Sequence, residues 1–328
     1  MAKHKYGYGA SSPGEIPVRG WWSIIKRVFK SSSKDNLTFV AAGVAFYALL
    51  AIFPAIAALV SVYAYFSSPA EITAHLSQFI TLIPPSTRDI ILQQVSAVSE
   101  KSQATLSFSA ISTLTLALWS SSKGSQALIT ACNITYHEQN KRQFLIALLI
   151  RFVFSVGAIM VAVIALLIIG ILPVVLNLVG LTQGVDLVIQ LISWPFLAMV
   201  FNIALAALYR YGPHRREAKW CWVIPGSLLA TFLWIIASLG FSFYVAQFAS
   251  YNETYGSLGG VVIMLMWLYL SAYIIIFGAA FNASIEQQTL CDSTKGDDSE
   301  LGERGAYVAD TLTKRQKKQH AGKTDTGD

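Results

Sequence analysis

The chain has 328 residues, of which 54% are hydrophobic and only 13% charged, roughly half the charged share of about 25% usual in a soluble domain. The formal net charge is +6, but the lysines and arginines gather at the chain ends and in short connectors between long apolar stretches. That is the pattern of a multi-span membrane protein, and it excludes an ordinary soluble enzyme or a nucleic-acid binder.

Residues 1–15 are polar and glycine-rich and read as a mobile tail. The first 36 residues carry seven basic side chains and no short apolar core, so no cleavable signal peptide is expected. From Val18, apolar Trp21, Trp22, Ile25, Val28 and Phe29 recur at three- and four-residue spacing, with Lys26, Arg27, Lys30 and Lys34 largely opposite. This predicts an amphipathic helix lying in the headgroup region.

The first span is expected over Leu37–Phe66, long enough to tilt, with Pro54 the natural kink point. Its first half is rich in small residues, which let a neighbouring helix approach closely. Residues 67–104, broken by Pro84-Pro85, read as a helical hairpin resting on the outer leaflet or capping the bundle. The second span, about Ala104–Ser122, is rich in serine and threonine and ends at Lys123. An amphipathic stretch from Gln126 to Tyr136 follows, and the span either extends through part of it or turns.

Four further spans are expected at Phe144–Pro173, Leu187–Tyr209, Cys221–Phe248 and Leu258–Ala283. The resulting fold class is all-α: a six-span membrane domain over 16–286 with an N-terminal interfacial helix, followed by a largely disordered charged tail over 287–328. Of the 24 lysines and arginines, only Arg88 and Lys101 fall in the alternate connectors, so both termini are expected in the cytoplasm.

Candidate chemistry is sparse. Arg151 lies about 10 Å into the third span, where a charge marks a functional site unless it snorkels to the headgroups. Arg210, in the basic connector Tyr209–Arg216, either sets topology or contacts an anionic lipid. Tyr255, in the connector 251–257, belongs to an interfacial aromatic belt or to a substrate gate. Asn282 and Glu286 end the last span and serve helix packing or a substrate. Cys132, Cys221 and Cys291 lack Cys-x-x-Cys spacing, the five histidines are scattered, and no nucleotide loop or hydrolase signature occurs, so no cofactor and no metal are expected.

Several stretches together resemble one family. They are Ala41-Ala42-Gly43-Val44-Ala45-Phe46-Tyr47 with Phe53-Pro54, Asn133-Ile134-Thr135-Tyr136 before Phe144, and Leu208-Tyr209-Arg210-Tyr211 with Pro225-Gly226. The strongest runs from Ser250-Tyr251-Asn252 through Tyr255-Gly256-Ser257-Leu258-Gly259-Gly260 to Trp267-Leu268-Tyr269 and Asn282. The chain is similar to the YihY/virulence factor BrkB family over about residues 19–286, departing at Thr135, where a small residue is expected. The resemblance implies a bacterial inner-membrane protein with six spans, linked to envelope integrity and to transport of lipids or small solutes. A ribonuclease label once given to the family finds no catalytic residues here.

Sequence and resemblance together point to a transporter-like or lipid-handling membrane protein for an anionic or amphipathic envelope component. Tyr47, Arg151, Arg210, Tyr255 and Asn282 are its candidate contacts. A membrane scaffold for envelope proteins is the alternative. Membrane lipids, and in either reading envelope proteins, are the expected partners; nucleic acid is not.

Overall fold

The computed structural model describes residues 6–66, 119, 122–168, 183–247, 257–313 and 316. Its main helices are α1 (Val18–Lys34), α2 (Leu37–Phe66), α3 (122–135), α4 (Phe144–Leu166), α5 (Gln183–Tyr211), α6 (Trp220–Gln247) and α7 (Ser257–Glu286). No strand occurs among the described residues beyond an isolated bridge between Ala218 and Thr294. The hairpin over 67–104, the apolar run 104–118 and the connector carrying Tyr255 lie outside the described residues.

Among the described residues, four helices are long and apolar enough to cross a membrane: Phe144–Ala165, Leu191–Tyr211, Trp220–Ala246 and Gly259–Glu286. Counted together as one span, the bent pair of α1 and the first half of α2 would bring the number to five. Only 11–17% of the residues in these four windows are buried inside the protein. Their outer faces are strips of Leu, Ile, Phe and Met, an arrangement stable in lipid and not in water.

α1 docks one face on α7. Gly20, Ile24, Val28 and Ser32 form the buried stripe at four-residue spacing, and Trp21 stacks on Phe281 at 5.9 Å. Trp22, Ile25 and Phe29 are exposed, so α1 has two apolar faces where the sequence suggested one. Arg27 also departs from the expected polar face: its guanidinium donates to the Ser284 carbonyl at 2.8 Å and to Gln288 Oε1 at 2.6 Å. The chain then bends by 65° into α2 at Asn36, whose φ of 50° lies in the left-handed region that asparagine tolerates.

α6 packs closely between α5 and α7. Lipid gives helices no hydrophobic reason to associate, so close packing and hydrogen bonds must hold them together. Gly226 of α6 faces Gly278 of α7 so closely that a Cβ on Gly278 would lie 2.5 Å from the Tyr209 hydroxyl and 2.8 Å from Ala230 Cβ. Pro225 interrupts the donors of α6, and Asn282 serves the backbone beside it. Its Oδ1 accepts the Gly226 N–H at 2.7 Å and its Nδ2 donates to the Val223 carbonyl at 2.8 Å. Tyr209 of α5 donates to the Ile275 carbonyl at 2.7 Å.

The remaining segments are α3 and the chain termini. α3 is unbroken from 122 to 135, and Trp119 is already helical. Of the two courses the sequence allows after Lys123, the helix takes the one through most of Gln126–Tyr136, and Lys123 sits twelve residues, or about 18 Å, before its end at Thr135.

The chain termini, expected as disordered tails, are ordered over 6–15 and 287–313. Together with connectors 136–143 and 212–219 they form a cap over one end of the bundle. Gln288 Nε2 donates to the Tyr6 carbonyl at 2.7 Å and Leu290 N–H to the Tyr8 carbonyl at 2.9 Å. Lys219 N–H donates to the Ser293 carbonyl at 2.8 Å. Arg304 is buried and donates to the carbonyls of Leu290, Cys291 and Ala309. This order rests on polar contacts between segments far apart in sequence, to which composition is blind.

Candidate functional site

Two places in the described structure bring polar chemistry together: a groove in the flank of the bundle, and a buried cluster under the cap.

The groove has a volume of about 390 Å³ and runs between α2 and α3. Val40, Gly43, Val44, Tyr47 and Leu50 form one wall; Lys123, Gln126, Ala127, Thr130, Ala131 and Ile134 form the other. Exposed Tyr47, Leu50 and Thr130 edge its mouth, which opens sideways among apolar helix faces. Gly43 widens it, since nothing lies within 4 Å of where its Cβ would be. The groove closes where Gly124 meets Ala48 and Ala51 of α2. On α3, Lys123, Gln126 and Thr130 fall at i, i+3 and i+7 and so share one helix face. Those wall residues make an otherwise apolar groove amphipathic, with one cation and no carboxylate in its lining among the described residues.

Three helices agree on the depth of Lys123. It is about 18 Å from the capped end of α3. Ala48 and Ala51, against Gly124, are about 16–21 Å along α2 from Leu37. Ser155, whose hydroxyl donates to Ser125 Oγ at 2.9 Å, is about 16 Å along α4 from Phe144. Lys123 thus stands about half a hydrocarbon thickness of roughly 30 Å from the capped end, measured along the helices. Its ammonium lies 4.9 Å from the Trp119 ring centroid, and no carboxylate pairs with it among the described residues.

Under the cap, Arg215 and Glu286 form a bidentate ion pair with both N–H···O distances at 2.8 Å and both side chains fully buried. The guanidinium also lies over the Tyr136 ring at 4.1 Å, and Ser293 donates its hydroxyl to Glu286 Oε2 at 3.0 Å. Burial alone would lower the pKa of Arg215, but the Glu286 carboxylate outweighs it and holds that pKa above the ordinary value. Beside the pair, Arg142 donates to the carbonyls of Tyr211, Gly212 and Pro213, closing the end of α5. This cluster joins α3, the 212–219 connector, α7 and the tail.

The residues singled out from sequence are not gathered in one place. Tyr47 lines the groove. Arg151 falls on the α4 stripe between buried Ala147 and Ser155, half-buried, outside the groove lining and without a polar partner among the described residues. Arg210 is 4% exposed, paired with Glu217 at 3.1 Å and stacked on Trp220 at 4.5 Å. Asn282 is fully buried and occupied by α6 backbone. Tyr255 lies outside the described residues. Sequence reasoning missed Lys123, which reads as a loop charge because it ends an apolar run. The i, i+3, i+7 spacing of Lys123, Gln126 and Thr130 was the available signal. It also read Arg215, with the rest of its connector, as topology-setting charge or an anionic-lipid contact, and not as half of a buried ion pair.

These features define a helical membrane protein with several apolar spans, a polar cap at one end and a side-opening groove. The chain belongs to the virulence factor BrkB family, whose model matches residues 28–301. It is 30% identical over 275 residues to the putative ribonuclease-like protein YfkH of Bacillus subtilis, covering 81% of this chain and 96% of that one. It is 28% identical to a UPF0761 membrane protein of Nitrosospira multiformis, over 82% of this chain and 61% of that one. A UPF0761 membrane protein of Alteromonas mediterranea is 27% identical, over 78% and 85%. No solved structure matches significantly.

Proposed function

We propose that this protein binds and handles an anionic amphipathic lipid of the bacterial envelope in the cytoplasmic (inner) membrane. The observation that carries this reading is the α2–α3 groove. Its walls are largely apolar, its mouth opens among exposed apolar helix faces, and its lining among the described residues holds a cation and no carboxylate. A phospholipid matches that distribution, with acyl chains along the apolar walls and an anionic headgroup at the polar stripe of α3, entered at Thr130 nearer the capped end.

In this reading the membrane domain has six spans, α2 to α7, with α3 continuing the apolar run 104–118. The cap and both termini are cytoplasmic. The charge asymmetry supports that orientation, since of the 24 lysines and arginines only Arg88, Lys101, mid-depth Lys123 and Arg151, about 10 Å into α4, fall outside the cap, the termini and the helix ends next to them. α1, with its exposed Trp22 and Phe29, rests in the cytoplasmic headgroup layer. The ribonuclease-like name of the Bacillus protein is not carried over. Among the described residues no group of three or more His, Cys, Asp or Glu is placed to hold a metal ion, and we read the chain as a non-enzyme.

Gly43 provides the test, because a side chain there enters the groove without touching the packed core. Wild-type protein purified in mild detergent is expected to retain anionic phospholipid, measured by extraction and mass spectrometry. Gly43→Leu is expected to lose most of it while unfolding at the same temperature or slightly higher. Equal retention by both proteins contradicts a lipid site in the groove.

A further inference from the structure

We propose that Lys123 is a mid-membrane station for the phosphate of a lipid headgroup in transit, so that the α2–α3 groove is part of a translocation path and not only a resting site. The proposal rests on the lipid-handling reading above and adds a substrate class and a role for one residue.

A lipid at rest keeps its headgroup at the membrane surface, where a groove residue near the middle of the hydrocarbon cannot meet it. Three helices put Lys123 at that middle depth. A cation there has a purpose only if an anion comes to it. The approach is marked out as well: Thr130, Gln126 and Lys123 follow one another along the groove face of α3, from nearer the capped end inward.

Gln126 Oε1 is buried without a hydrogen-bond partner among the described residues, so this carboxamide has bonding capacity to spare for a headgroup. Between visits the ammonium rests over the Trp119 ring, a contact weak enough to be exchanged for an anion.

The choice of phosphate over carboxylate follows from acid–base chemistry. A fatty carboxylate drawn into hydrocarbon takes up a proton and loses its charge, and it then needs no counter-ion. A phosphodiester stays ionised at any physiological pH, so it needs one throughout its passage. Lysine suits the task because its compact ammonium, on a flexible stem, meets phosphate as a point charge and does not grip it in a rigid fork.

The experiment uses full-length protein in vesicles of phosphatidylethanolamine and phosphatidylglycerol, with a trace of phosphatidylglycerol fluorescently labelled on its chain. Transbilayer movement is read by bleaching the outer leaflet with dithionite. The wild type is expected to speed the movement, with Lys123→Met slowing it by at least about tenfold and Lys123→Arg staying within a few-fold of wild type. Unchanged thermal unfolding of Lys123→Met in detergent, measured alongside, shows that the helices around the groove are still packed.

Movement at the wild-type rate in Lys123→Met overturns the proposal and leaves the lipid-handling reading standing. So does a wild type that retains lipid without moving it. A wild type that does neither overturns both. Radiolabelled inorganic phosphate supplied to the same vesicles separates the two sources of phosphate. Lys123-dependent uptake of the free ion, without lipid movement, also overturns the proposal.

Discussion

Glu286→Ala is expected to destabilise the protein by about 3–5 kcal/mol, the cost typical of breaking a fully buried ion pair from one side. The loss exceeds the worth of the pair itself, because Arg215 is left charged in a fully buried site, with Glu138 close enough to attract it but not bonded to it. Burial cannot rescue it by removing the proton, since an arginine guanidinium keeps its charge in proteins. Arg215→Ala is expected to fall in the same range, slightly milder, because Ser293 still donates to the abandoned carboxylate. The double change Arg215→Met with Glu286→Leu is expected to recover much of the loss, as apolar side chains of similar volume leave no charge unpaired. Thermal unfolding in detergent, followed by tryptophan fluorescence, checks all three. A double variant as unstable as the sum of the singles would show that the pair is not coupled as the geometry requires.

Gly226→Val is expected to be comparably damaging, for steric reasons. The added Cβ would run into the Gly278 carbonyl and the Asn282 side chain, so α6 and α7 must separate. Overpacking of this kind costs about 1–3 kcal/mol, and separation also strips the Asn282 bonds from Val223 and Gly226, at about 1–3 kcal/mol for buried groups left unsatisfied. Gly43→Ala is the control on the opposite side of the bundle. It lies in a helix with open space beside it, so it is expected to gain about 0.5–1 kcal/mol. Equal effects of the two substitutions would contradict the distinction between a tightly packed α6–α7 pair and an open α2–α3 flank.

The long spans were legible because lipid imposes one requirement on every residue of a span. The sequence placed the last two spans at Cys221–Phe248 and Leu258–Ala283, and the helices run Trp220–Gln247 and Ser257–Glu286. The small residues at Gly226 and Gly278 lie where the helices meet, as lipid-phase packing demands.

The cap was not legible. Thr289 bonds to the Ala10 carbonyl, and Glu286 pairs with Arg215 across 71 residues; no local pattern announces such partners. Charge misled in one further case. Lys123 follows an apolar run and so read as its end, but the helix continues through it to Thr135. Arg151 drew attention for its depth, yet the groove lining holds Lys123 instead.

The central claim is that lipid occupies the α2–α3 groove, and a photoreactive benzoylphenylalanine in place of Tyr47 tests it most directly. Tyr47 lines the groove, whereas Leu149 on α4 is 64% exposed on the outer face and samples bulk lipid. Irradiation in native membranes, followed by mass spectrometry of the adducts, compares the two positions. The account predicts phospholipid adducts at Tyr47 that are enriched in anionic headgroups relative to Leu149 and that disappear with Gly43→Leu. Adducts of the same composition at both positions, unchanged by Gly43→Leu, would contradict it.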